Sequence, residues 1–238
     1  METASQKKGM KRYDKNNTWI VIPAYNEEKR LGRVIDSLIK NGYHNIAVVD
    51  DGSRDRTFDV AFEKGVWSIK HPINMGQGAA LQTGIEFALK KGAEAIITFD
   101  ADGQHRAEEI PLFFNKLNKG YDAVLGSRFL KNNRIPIFRK IILKGGIFFT
   151  KFISNIKVTD SHNGFRAITK YAASKTKIEF NDMTHASEIL DKISSNHLRF
   201  CEVPVTIIYS NETMRKGQSS LNALKIAFKI IVKKIIFG

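Results

Sequence analysis

Between residues 18 and 126 short apolar runs alternate with helical stretches, and this alternation restricts the fold more than any other feature of the chain. Strands are expected over 18–22, 46–49, 66–70, 95–99 and 122–126, separated by helices over 27–41, 54–64, 78–91 and 108–119. Short, near-continuously apolar strands interleaved with helices belong to a parallel sheet covered on both faces. The expected class is therefore α/β, a mostly parallel sheet flanked by helices. In such sheets a ligand sits at the carboxyl ends of the strands, and the polar clusters of this chain fall at those ends.

The most telling cluster follows the fourth strand, in Phe99-Asp100-Ala101-Asp102-Gly103-Gln104-His105. In an extended segment residues i and i+2 point to the same side, about 6.5 Å apart along the strand. Asp100 and Asp102 are thus expected to face one pocket. A carboxylate pair beside a turn glycine and an amide suits a hard divalent cation that also holds a phosphate-bearing ligand. Taken alone, the same two acids could equally cap the helix that follows.

Two other strand ends carry polar runs. Pro23-Ala24-Tyr25-Asn26-Glu27-Glu28 follows the first strand, where a dinucleotide-binding fold would need glycines for pyrophosphate, so a nicotinamide cofactor is excluded. Asp50-Asp51-Gly52-Ser53-Arg54-Asp55 follows the second, with acids suited to ribose hydroxyls or a base edge. Gly76-Gln77-Gly78-Ala79 reads as a loop that lets backbone pass close to a ligand, or as a plain helix-entry turn.

Together with Asn74-Met75 before the glycines, these four motifs in order resemble those of family-two glycosyltransferases of the GT-A fold. The resemblance is strongest to the branch, typified by dolichol-phosphate mannose synthase, that charges polyprenyl phosphates, and it runs from about residue 19 to about residue 221. It implies that Pro23, Tyr25, Glu27 and Asp51 hold base and ribose, with Gly76, Gln77 and Ala101 also on the donor side. It further implies that Asp100, Asp102 and Gln104 surround Mg²⁺ or Mn²⁺ on the diphosphate of a GDP- or UDP-linked sugar. On the acceptor side it places Gly126-Ser127-Arg128, Asp160-Ser161-His162-Asn163-Gly164-Phe165-Arg166, Glu188, Glu202-Val203-Pro204-Val205 and Arg215-Lys216-Gly217-Gln218-Ser219-Ser220. Ser220 stands where that branch often has lysine.

Arg128, Arg166 and Arg215 are expected to converge on phosphate, since a guanidinium offers a planar bidentate fork. A phosphomonoester with a second pKa near about 6 is already an anionic nucleophile at neutral pH and needs no general base. A hydroxyl acceptor would need one, and Asp160 and Glu188 are the candidates. A glycosyltransferase acting on a hydroxyl of a growing glycan, and a non-catalytic nucleotide-sugar-binding subunit, are the alternatives.

Charge adds a partner. Lys plus Arg number 38 against 24 Asp plus Glu, a net +14. Residues 131–159 hold seven basic residues and residues 213–238 hold six, with no acid in either stretch, so the remainder is near neutral. Both stretches are also rich in Ile, Leu and Phe. Leu221, Leu224, Phe228, Ile231 and Ile235 lie at helical spacing, with Lys225, Lys229 and Lys233 on another face. A C-terminal basic amphipathic helix over 221–238 is expected to meet an anionic membrane surface; no pattern of a nucleic-acid module is present, and nucleic acid is not expected as a partner.

No run reaches the about 18 apolar residues of a membrane span, although many members of the resembled branch continue into membrane helices. That difference points to a small membrane protein as partner and to a peripheral place at the cytoplasmic face. The single cysteine, Cys201, allows no internal disulfide and the histidines lack ligand spacing. The expected division is a disordered basic leader over 1–17, a GT-A domain over 18–220 with a nucleotide-sugar half (18–128) and an acceptor half (129–220), and the helix over 221–238.

Overall fold

The computed structural model describes residues 12–131 and 156–208. The expected helix over 221–238, the bulk of the basic stretch after Lys131, and Arg215 lie outside the described residues. Seven strands form one sheet: β1 (Thr18–Ala24), β2 (Ile46–Asp50), β3 (Trp67–Lys70), β4 (Ala95–Thr98), β5 (Ala123–Ser127), β6 (Arg166–Thr169) and β7 (Phe200–Pro204). Their spatial order is β3-β2-β1-β4-β6-β5-β7. The helices are α1 (Glu28–Lys40), α2 (Thr57–Glu63), α3 (Gln77–Lys90), α4 (Ile110–Leu117), α5 (Lys170–Lys175) and α6 (His185–Ser195), with a 3₁₀ turn, Ala107–Glu109, leading into α4.

All seven residues of β1 are buried, as a central strand covered on both faces requires. The period of two divides them between two cores. Ile20 and Ile22 join Leu31, Ile35 and Leu38 of α1 and Phe113 of α4 on one face. Trp19 and Val21 join Leu81 and Ile85 of α3 and Leu190 and Ile193 of α6 on the other. Pro23 lies inside β1, not beyond it, and is tolerated there because β4 pairs with β1 only as far as Val21 while β2 alone continues alongside.

The expected strands are present within a residue or two of their boundaries, and one departure matters for the site. β6 runs antiparallel to both β4 and β5, so the sheet is mixed. The parallel strands present their carboxyl ends at one edge, and β6 begins at that edge. The loop before β6, residues 160–165, is thereby delivered to the same place as the loops after β1, β2, β4, β5 and β7.

Residues 12–17, assigned to the leader on sequence, are tied to the body. Tyr13 exchanges backbone hydrogen bonds with the Asn118 side chain, at 2.7 and 2.9 Å.

Candidate active site

β4 ends at Thr98, and Asp100 to Gly103 form a turn beyond it with Gly103 at φ +76°. Ala101 packs into the core. Asp102 Oδ1 accepts the Gln104 backbone N–H at 3.0 Å, and Asp100 Oδ2 lies 2.8 Å from His105 Nε2. His105 is fixed between the Phe99 and Phe165 rings. Burial alone would raise the Asp100 pKa, but its pairing and hydrogen bond with His105, helped by His185 and Arg166, hold it below the ordinary value. Asp102 is pushed up to about 6 by burial and then by the charge of Asp100.

The charge of Asp100 thus bears on Asp102. A hard divalent cation would relieve that repulsion, so the residues present fit Mg²⁺ or Mn²⁺. Among the described residues no group of three or more His, Cys, Asp or Glu side chains could enclose a metal ion. A cation at this pair would need further ligands, and the oxygens of a diphosphate are of the right hardness.

Gly164 abuts Asp100. A Cβ at that position would overlap the Asp100 carboxylate, and the Gly164 carbonyl accepts the Thr98 hydroxyl at 2.5 Å. Only a glycine lets the loop before β6 close onto Asp100.

The donor-side loops are laced together by side-chain to backbone bonds. Asn26, at φ +54°, receives Arg54 N–H on its Oδ1 and gives its own N–H to Ser53 Oγ. Glu27 N–H donates to Thr57 Oγ1 at 2.8 Å, and its carboxylate pairs with Arg30 at 2.6 Å. Tyr25 stands exposed beside them.

Asp51 is buried and both its oxygens are engaged. Oδ1 meets His71 Nδ1 and Met75 N–H, and Oδ2 accepts Gly76 N–H at 2.7 Å. Asp51 thus shapes the Met75-Gly76 loop with its whole carboxylate. Asp50 Oδ1 accepts Ser53 N–H, while its buried Oδ2 has no hydrogen-bond partner among the described residues.

The glycine cluster is a close approach of two chain segments. Gly76 is at φ +104°, and a Cβ on Gly76 or Gly78 would strike backbone of Phe180 and Asn181. Gly78 and Ala79 N–H groups at the start of α3 donate to the Asn181 carbonyl, at 2.7 and 3.4 Å. Packing against the Phe180 and Asn181 backbone accounts for the glycines, and Gln77 opens α3.

On the acceptor side, Asp160 Oδ2 accepts both Arg128 Nε at 2.6 Å and Arg128 N–H at 3.1 Å. Arg166 donates to the carbonyls of Asn163, Ser161 and Ala186. Its pKa is lowered to about 10 by burial, against which Asp160 and Asp100 pull upward, so it stays cationic at neutral pH. Glu188 receives Glu179 and Phe180 N–H and lies 3.2 Å from Lys192 Nζ. Arg128, Asp160, Arg166 and Glu188 are therefore all present at this edge, and all are engaged with the chain itself.

The Glycosyl transferase family 2 model matches residues 19–176. The chain belongs to that family. It is 38% identical over 232 residues to an uncharacterised protein of Methanocaldococcus jannaschii, covering 93% of this chain and 94% of that one. It is 33% identical over 241 residues to the UDP-N-acetylglucosamine–dolichyl-phosphate N-acetylglucosaminyltransferase of Methanococcus voltae, covering 91% and 96%. With the polyprenol monophosphomannose synthase of Mycolicibacterium smegmatis it shares 26% over 230 residues, covering 90% and 85%.

Its fold matches glucosyl-3-phosphoglycerate synthase from Mycobacterium tuberculosis, solved with Mn²⁺ and uridine-diphosphate-glucose. The TM-score is 0.66 at 17% identity, over 90% of this chain and 76% of that one. At that identity the likeness concerns the fold, which is GT-A. As a family 2 glycosyltransferase the protein is an enzyme.

Sequence reading did not find the partners that build this family 2 site: His71 on Asp51, His105 on Asp100, and Gly164 against Asp100. Only His105 had a local signal, its place directly after the Asp-x-Asp turn.

Proposed function

We propose that the protein is an inverting glycosyltransferase that moves a sugar from a UDP- or GDP-linked donor to polyprenyl phosphate at the cytoplasmic face of a membrane. One observation carries the choice of acceptor. The two carboxylates that could serve a hydroxyl acceptor as general base, Asp160 and Glu188, are spent on Arg128 and on backbone N–H groups. A phosphate acceptor needs neither. The relatives named for dolichyl-phosphate and polyprenol substrates support the same choice, as does the basic excess of residues 131–159 and 213–238.

In this reading Pro23, Tyr25, Glu27 and Asp51 form the wall that receives the nucleoside, and Gly76, Gln77 and Ala101 line it with backbone. Asp100, Asp102 and Gln104 would hold Mg²⁺ or Mn²⁺, whose charge offsets the negative charge gathering on the departing nucleoside diphosphate. An acceptor phosphate oxygen attacks the sugar C1 from the face opposite the diphosphate. The C1–O bond to the acceptor forms as the bond to the leaving oxygen breaks, and the configuration at C1 inverts.

Arg128 and Arg166, held by Asp160 and by loop carbonyls, set a positive potential behind the attacking phosphate. Arg215 is proposed as a further phosphate contact. The basic stretches would rest on anionic lipid, with a small membrane protein as companion. No helix among the described residues is long and apolar enough to cross a membrane.

The test is transfer itself. Purified protein with Mn²⁺, a panel of UDP- and GDP-sugars and vesicles containing polyprenyl phosphate should yield a sugar-phosphate lipid of inverted anomeric configuration. Transfer to glycan hydroxyls alone would favour the alternative acceptor, and no release of nucleoside diphosphate under any condition would leave a binding subunit.

A further inference from the structure

His105 stands beside the acid pair but is shut away from solvent: its side chain is 2% exposed, against 28% for Asp100. Phe99 meets the ring edge-on at 5.3 Å and Phe165 lies tilted to it at 5.0 Å, with Phe113 stacked on Phe165 at 4.3 Å. Within these aromatic walls Nε2 reaches Asp100 Oδ2 at 2.8 Å, while the buried Nδ1 has no hydrogen-bond partner among the described residues. A ring nitrogen enclosed by apolar groups costs less as a bare lone pair than as an orphaned N–H. The proton is therefore on Nε2, and His105 donates to Asp100.

This contact divides the Asp100 carboxylate. Oδ2 is taken by the imidazole, and Gly164 closes against the same group with no space between them for a Cβ. Oδ1 carries no hydrogen bond among the described residues. Asp102 is divided in the same way, with Oδ1 accepting the Gln104 N–H and Oδ2 unbonded. Each acid of the pair thus offers one oxygen.

We propose that His105 is a positioning residue that withholds Asp100 Oδ2 and leaves Oδ1 as the single donor of that acid to the cation, so that the site selects Mn²⁺ or Mg²⁺ over the larger Ca²⁺. The inference rests on the cation reading of the Asp100–Asp102 turn. Mg²⁺ keeps a small octahedral shell built from one or two carboxylates and substrate phosphates, whereas Ca²⁺ accepts more oxygens and chelating carboxylates. His105 touches neither cation nor nucleotide. It acts through Asp100, and outer partners of this kind are worth about 10- to 100-fold in metal affinity.

The experiment measures Mn²⁺ binding to the full chain by electron paramagnetic resonance, with one equivalent of UDP or GDP, whichever wild type binds, and with Ca²⁺ as competitor. His105→Phe and His105→Met remove the donor and refill the space between the rings, and His105→Gln keeps an N–H near the place of Nε2. Mn²⁺ affinity should fall about tenfold in the first two variants and stay within about threefold in His105→Gln. Ca²⁺ affinity should stay within about twofold of wild type in all three, because the freed Oδ2 lets Asp100 chelate the larger ion.

Unchanged Mn²⁺ affinity in His105→Phe and His105→Met overturns the proposal. So does an equal loss of Mn²⁺ and Ca²⁺ affinity, which marks a loosened turn, and so does a loss in His105→Gln as deep as in the other two. Two apolar replacements are compared so that misfolding of one leaves the other to decide. If wild type with nucleotide binds no Mn²⁺, the cation reading itself fails, a result distinct from normal binding in wild type that loss of the imidazole leaves untouched.

Discussion

His185 is buried with Nδ1 2.7 Å from the Asp182 carbonyl oxygen, so the ring is the neutral tautomer with its proton on Nδ1. Burial, reinforced by Arg166, lowers its pKa from 6.5 to about 4. Between those values the unfolded chain takes up a proton that the folded chain refuses, so stability falls as pH drops from about 6.5 toward 4 and is indifferent to this group above 6.5. A shift of that size corresponds to about 3 kcal/mol. Chemical denaturation at pH 7 and pH 4.5 should show His185→Gln losing much less stability on acidification than wild type, since the amide can still donate to Asp182 O. Equal acid sensitivity in the two proteins would contradict this account of the ring.

The same scale explains what sequence could not disclose about the site. Asp100, Asp102 and Asp51 are visible as motif acids. Of their partners, His71 lies 20 residues from Asp51 along the chain, and Gly164 reaches Asp100 from the loop before β6. Short-range spacing says which side chains carry chemistry, but only the sheet order says which of them meet.

Among the elements, α3 poses a question with two opposite answers. Gly78 is the second residue of the helix, where alanine is intrinsically better by about 1 kcal/mol. A Cβ there, however, would strike the Phe180 carbonyl oxygen and press on His185 Cβ, and overpacking against backbone costs about 1–3 kcal/mol. Contact wins over propensity in this account, so Gly78→Ala should lower stability in a denaturant titration; a neutral or stabilised variant would show that the 180–182 segment yields freely.

β1, β2, β4 and β5 were legible because each is a short buried run, and they appear within two residues of expectation. β6 was not. Arg166–Thr169 is too short to show a period of its own, and its antiparallel direction leaves no mark in the local pattern. That missed reversal is what brings Gly164 and Asp160 to the edge where the parallel strands end.

For the whole molecule, the sheet gathers loops from both halves of the chain around one acid pair, while the basic excess is confined to residues 131–159 and 213–238. The surroundings of the pair are not acid-poor: Glu27 adds to the repulsion felt by Asp102. A diphosphate can settle there only if positive charge settles with it. Calorimetric titration of UDP and GDP into wild type and Asp102→Asn, each with Mn²⁺ and with EDTA, tests this directly. Wild type should bind its nucleotide at least about tenfold more tightly with Mn²⁺ than with EDTA, a difference of about 1.4 kcal/mol, and Asp102→Asn should lose that difference. Equal affinity with and without the cation in wild type, or full cation dependence in Asp102→Asn, would contradict the central claim.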